Sequence, residues 1–281
     1  MTEWWTRIAG AALLAMALPV LAACGEQAAT PIAADPSQPR LQLVSASPAE
    51  HGKRLSRVLG CTGCHNDRLT GNDWSEPGYG TLWSSNLTRS GERWSAPELT
   101  QMIVAGRRPD RALMEMPSHI FARLHPEDVA ALVAYLESLT PVGEAHPDLT
   151  VGPLLQKEIE AGAYKDSAQV AIERKGEAPP DLGADHAFGR QIVGVTCAEC
   201  HGTDLRGKPA SETGANPRPD LRMVASYDPE DFTRLLRTGK AAGNREVGLM
   251  SSAARRRYAH LTEGEVAALR SYLVELAKRD P

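Results

Sequence analysis

Cys61-Thr62-Gly63-Cys64-His65 and Cys197-Ala198-Glu199-Cys200-His201 are two copies of one five-residue pattern, 136 residues apart (197 − 61). Two thiols followed directly by an imidazole constrain the surrounding chain strongly. A bare Cys-x-x-Cys serves as a thioredoxin-like redox pair or as half of a zinc site. A redox pair needs no trailing histidine and normally sits in a βαβ pattern, and no strand-rich stretch flanks either copy. A zinc site would pool all four cysteines, yet each copy is followed by its own helix and its own methionine. With the trailing histidine, each copy matches the attachment signature of a c-type haem. The thiols add across the porphyrin vinyl groups and the imidazole reaches the iron from the same side. The expected cofactors are therefore two covalently bound haem c groups. Cys61, Cys64 and His65 would hold one, and Cys197, Cys200 and His201 the other.

A chain of 281 residues has room for about two domains. Only 5% of it is aromatic, which suits small cores filled largely by a planar cofactor. The net charge of −4 gives no concentrated positive field for phosphates, so nucleic acid is excluded as a partner.

The two halves repeat one order of elements. In the first, residues 49–59 read as a helix that delivers Cys61. Ser95-Ala96-Pro97-Glu98 is a capping box with proline in the first turn, and that helix stops near Gly106. A last helix begins at Pro126, with Val129, Leu132, Val133 and Leu136 at i, i+3, i+4 and i+7. In the second half, a segment around Gly189 leads into Cys197. Asp228-Pro229-Glu230 opens a middle helix that ends at Gly239, and Thr262-Glu263-Gly264-Glu265 caps the last one. The spacing from motif histidine to last-helix tyrosine is 70 residues in one half (135 − 65) and 71 in the other (272 − 201). Such fidelity indicates duplicated domains. The boundaries expected are 48–140 and 183–281. The linker, 141–182, has apolar residues too sparse for a core of its own and packs across the domain interface.

The N-terminus reads as an export signal. Arg7 precedes an apolar run, Ile8 to Ala23, too short to span a bilayer and interrupted by Pro19. Leu21-Ala22-Ala23-Cys24 resembles a bacterial lipobox, which makes residues 1–23 a signal peptide and Cys24 the lipidation site. Gly25 after the cysteine leans toward the outer membrane. Residues 24–47, rich in Ala, Pro, Ser and Gln, read as a flexible tether. The expected location is the cell envelope, with the folded head lipid-anchored to the membrane and facing the periplasm.

The ligand opposite each histidine separates a carrier from an enzyme, because an open iron face admits peroxide or O₂ chemistry. Met102 lies inside a helix and reads as core filler. Met116, next to Pro117 in a loop before the last helix, is the expected distal ligand of the first haem. Met114 comes second and His119 is a weaker alternative. Met250 occupies the matching place in the second half, and Met223 reads as pocket packing. His51 and His186 read as surface or helix-packing residues. His125, His146 and His260 are assigned no chemistry. Trp74, Trp83, Trp94 and Arg93 are candidates for holding the first haem's edge or propionates.

Taken together, these residues resemble a tandem class I cytochrome c, closest to the cytochrome c subunits of membrane-bound bacterial dehydrogenases. The segments Tyr79–Thr88, Gly91–Ser95, Met116-Pro117 and Gly248–Ser251 carry the likeness, alongside the two Cys-x-x-Cys-His motifs. The resemblance implies an all-α fold whose first and last helices cross in each domain, with Gly52 near Tyr135 and Gly189 near Tyr272. It also implies a backbone carbonyl behind each motif histidine; Pro217 or Pro219 is offered in the second half, and none is assigned in the first. The function expected is one-electron transfer from a dehydrogenase or quinol-linked donor toward a terminal acceptor. Its partners would be redox proteins such as a dehydrogenase, a quinol-oxidising complex or a terminal oxidase. The rival function is a dihaem enzyme, a peroxidase or a thiosulfate-oxidising protein, with one open haem.

Overall fold

Each motif is delivered by a helix, and the start of the first is written in a side-chain cap. Ser47 accepts from the Glu50 amide and opens Pro48–Val58, which ends just before Cys61. The capping box at Ser95 and Glu98 forms as expected and opens Ala96–Ala105, which stops at Gly106 in the left-handed region (φ 65°). The last helix of the first half is Pro126–Ser138. In the second half the same order is Ala187–Thr196, Pro229–Thr238 (ending at Gly239, φ 76°) and Glu263–Arg279. These elements come from a computed structural model of the chain, which describes residues 32–209 and 217–279.

The first and last helices of each half pack against each other, and a glycine sits at each crossing. A Cβ on Gly189 would lie 2.3 Å from the Ala268 carbonyl oxygen and 2.6 Å from Tyr272 Cβ. On Gly52 it would lie 1.9 Å from the Ala131 carbonyl oxygen. In both halves the nearest contact is the carbonyl of an alanine one turn before the tyrosine, Ala131 before Tyr135 and Ala268 before Tyr272. Strand is confined, among the described residues, to two-residue ladders such as Gly80–Thr81 with Thr150–Val151. No described helix is long and apolar enough to cross a membrane.

One hydrophobic core runs through both halves, from Leu55, Leu99 and Leu132 to Ile192, Leu236 and Leu273. Leu41 belongs to it and is 1% exposed. The described part of the expected tether, from Ile32 onward, is thus packed on the folded body. Its docking uses main-chain groups beside the side chains of Arg40, paired with Glu127, and Gln42, which meets Thr262. The Asp35 amide donates to Leu124 O at 3.1 Å. The Leu41 amide donates to Asp128 at 2.9 Å and the next amide, Gln42, to Glu265 at 2.9 Å. Asp128 and Glu265 hold equivalent places at the starts of the two last helices, so adjacent residues of one strap grip both domains. Composition conceals this, because any residue brings an amide. Residues 1–31, including Cys24, lie outside the described residues.

Segment 141–182 divides its contacts. Its first part wraps the first half: Asn86 donates to Val142 O, Gly152 to Tyr79 O, and the Tyr79 hydroxyl to Glu158, at 2.7–2.8 Å. Leu155, Ala168 and Ala171 are buried there, while Leu154 and Ile172 are about half exposed. Its end turns to the second half, where Arg190 donates to Pro179 O at 2.7 Å and Tyr272 to Pro180 O at 2.8 Å.

Candidate haem sites

Cys61 to His65 form a single helical turn after Gly60, whose φ of 85° lets the chain break away from the leading helix. On this turn His65 directs Nδ1 to Ser85 O at 2.8 Å. In the second half His201 directs Nδ1 to Pro219 O, also at 2.8 Å. A carbonyl oxygen can only accept, so Nδ1 carries the proton in both rings and Nε2 keeps its lone pair. This is the arrangement of a metal-binding imidazole whose other nitrogen is fixed from behind. Of the two carbonyls offered in the second half, Pro219 is the one used. Ser85 supplies the partner that the sequence left open, since a carbonyl has no side-chain signature. Burial lowers the pKa of both rings, which favours the neutral form a metal requires.

The thiols are unsuited to redox catalysis. Burial pushes Cys61 and Cys197 up to about 11, whereas a reactive Cys-x-x-Cys needs a depressed thiol. All four cysteines are free of disulfides, and among the described residues no three His, Cys, Asp or Glu side chains converge as a metal cluster. The pooled zinc alternative therefore has no geometry.

Cys61, Cys64 and His65 open onto a cavity of about 790 Å³. Leu69, Leu99, Ile103, Phe121 and Leu132 give it apolar walls, and Met102, Met114 and Met116 all reach it. The Met116 amide donates to Ser167 Oγ at 2.9 Å, between Glu115 at φ 57° and Pro117. Ser167 in turn donates its own amide to Leu113 O at 2.9 Å. The linker thus holds the methionine loop, a role for Ser167 that nothing in its sequence context marked. Met250 sits half-buried in the first turn of helix Leu249–Arg256, not in an open loop, and packs against the core.

The lining of the first cavity carries charges of both signs. Arg89, Arg93, Arg108 and Arg111 stand among carboxylates that include Glu92, Asp148 and Glu199, and Arg93 and Arg108 lie 4.8 and 4.9 Å from the Trp94 ring centre. His146 stacks on Trp83 at 4.2 Å and lies on the same wall. A flat, apolar cofactor with two carboxylates matches this cavity, with its thioether partners and neutral imidazole on one side and thioethers of methionine available to it.

Against that geometry, the family model for cytochrome c matches twice, over residues 49–140 and 187–277. The chain belongs to the cytochrome c family. Membership makes it an all-α electron carrier with two covalently bound haem c groups. It is 24% identical to the fructose dehydrogenase cytochrome subunit of Gluconobacter japonicus, over 88% of this chain and 56% of that one. It is 26% identical to a diheme cytochrome c-type protein of Cereibacter sphaeroides, over 66% of this chain and 69% of the relative. The gluconate 2-dehydrogenase cytochrome c subunit of Pantoea cypripedii matches at 24%, over 82% and 60%. The chain thus spans little more than half the length of the two dehydrogenase subunits.

His119, the weaker ligand alternative, is engaged elsewhere: Arg174 donates to its Nε2 at 2.8 Å. Burial, then the Arg174 charge, lowers its pKa to about 4. Between pH 6.5 and about 4 the unfolded chain takes a proton at this ring that the folded chain refuses, so stability falls as pH falls through that window. Melting temperature should decline from about pH 7 to about 4.5 less steeply in His119→Gln than in the parent cytochrome. Parallel declines would remove His119 from the cause.

Proposed function

We propose that this cytochrome is a membrane-tethered, periplasm-facing relay that passes single electrons from a dehydrogenase or quinol-linked donor toward a terminal acceptor. The observation that carries the reading is the pair of Cys-x-x-Cys-His turns, each with its histidine anchored through Nδ1 to a carbonyl. The likeness to cytochrome subunits of fructose and gluconate dehydrogenases supports a dehydrogenase as donor. Cys61 and Cys64 bind the first haem and His65 its iron, and Cys197, Cys200 and His201 do the same for the second. Met116 and Met250 close the opposite faces. A soft, neutral thioether favours ferrous iron and leaves no face for a substrate. Bound in these sites, the haem irons supply one-electron redox chemistry. Cys24 carries the lipid that keeps the head at the membrane.

The test is the visible spectrum of the chain matured in an oxidising compartment, with carbon monoxide and peroxide added. The parent should carry two haems, show the sulfur-to-iron charge-transfer band and bind neither ligand. Met116→Ala and Met250→Ala should each remove about half of that band and let one haem of the two bind carbon monoxide. A parent that binds carbon monoxide or turns over peroxide would replace the relay with a dihaem enzyme.

A further inference from the structure

The two haem-attachment turns meet across the domain interface, and one side chain joins them. Arg257 follows helix Leu249–Arg256, the helix that begins beside Met250. Its guanidinium donates to Val58 O at 3.3 Å and Leu59 O at 3.1 Å, the end of the helix leading into Cys61. The same group donates to Glu199 at 2.9 Å, and Glu199 stands between Cys197 and Cys200. Arg256 adds a bond to Thr62 O, inside the first motif, at 3.3 Å. The Arg257 side chain is only 14% exposed. Glu199, though part of the second motif, lines the first haem's cavity.

We propose that the Arg257–Glu199 pair is a shared electrostatic and positioning element that sets the reduction potentials of both haems together and fixes one attachment turn against the other. The proposal rests on the two-haem reading above. Reduction adds one negative charge to a haem, so a shielded cation beside it favours the ferrous state and a carboxylate opposes it. Because this cation and this carboxylate lie between the two attachment turns, neither haem is addressed alone. The fork of the guanidinium, bonded to two carbonyls and a carboxylate, also holds the turns in register in a way that a lysine ammonium would not. A charge shared in this way moves the two potentials in the same direction, so their common level can shift without reversing the order of the two haems.

Spectroelectrochemical titration of the full chain tests this. Arg257→Gln should lower both midpoint potentials, Glu199→Gln should raise both, and the double variant should return both toward the parent. Arg257→Lys should keep the potentials near the parent's while lowering the melting temperature, which separates charge from geometry. A shift at one haem only, or none, in the Glu199→Gln protein overturns the proposal, and that variant is decisive even if Arg257→Gln fails to fold. Failure of the underlying reading looks different: the parent itself would hold fewer than two haems.

Discussion

Gly189→Ala is expected to destabilise the cytochrome by about 3 kcal/mol, the upper part of the range for overpacking a tight contact. The added Cβ would meet a backbone oxygen at 2.3 Å, and backbone in the middle of a helix cannot swing aside as a side-chain tip can. Relief requires the helices Ala187–Thr196 and Glu263–Arg279 to separate, and Tyr272, which lies fully buried at the crossing, moves with them. The first of these helices runs directly into Cys197, so the displacement also reaches the second attachment turn. For a chain of this size the loss corresponds to roughly 6–12 °C in melting temperature, measurable by calorimetry or circular dichroism. Covalent haem content at the second site should fall as well, read from the haem-to-protein absorbance ratio. The same change at Gly52 should act on the first site. Melting within a degree of the parent would mean that the helices cross less tightly than the structure shows.

Glu265→Ala should cost a similar or larger amount, about 3–5 kcal/mol, because it strands a buried cation. Glu265 is fully buried and accepts from four groups: the Thr262 and Gln42 amides at 2.8 and 2.9 Å, and both Arg54 nitrogens at 2.7 and 3.1 Å. Arg54 belongs to the first domain and Gln42 to the strap, so the carboxylate is where three parts of the chain meet. Its loss should also change the form of unfolding. The parent should melt in one transition, and Glu265→Ala in two, as the second domain is released from the first. Glu265→Gln keeps an acceptor without the charge and should fall between them. A single, unshifted transition in Glu265→Ala would show that the domains are held by other contacts.

How much of the fold was legible in the sequence depended on whether a feature had a side-chain signature. The capping boxes at Ser95 and Thr262 fixed two helix starts, and proline or glycine marked the other ends. The paired motifs located both sites, because their chemistry requires those residues at that spacing. The crossing glycines were placed correctly as partners of the last helices, each meeting the alanine carbonyl one turn before the tyrosine, at Ala131 and Ala268. What stayed illegible was built from main chain. Ser85 O behind His65, and the amides of Leu41 and Gln42 on their two carboxylates, use groups present at every residue. For that reason the strap reads as tether and the linker's Ser167 as an ordinary polar residue. The domain interface was hidden for a further reason: Arg257 looks like any other arginine until folding sets it between two motifs distant in sequence.

The strap has a mechanical consequence. With the lipid proposed at Cys24, only seven residues (25–31) and eight Cα-to-Cα steps (32 − 24) separate that cysteine from Ile32, which packs against the core. Fully extended, they reach no further than about 28 Å. An anchor there would hold the head on a short leash, attached through the same strap that staples its halves together. Tension on such an anchor would pull along that strap, first at Asp35 and then at the paired amides of Leu41 and Gln42. An anchor at Cys24 and the staple between the two domains would then be one continuous piece of chain.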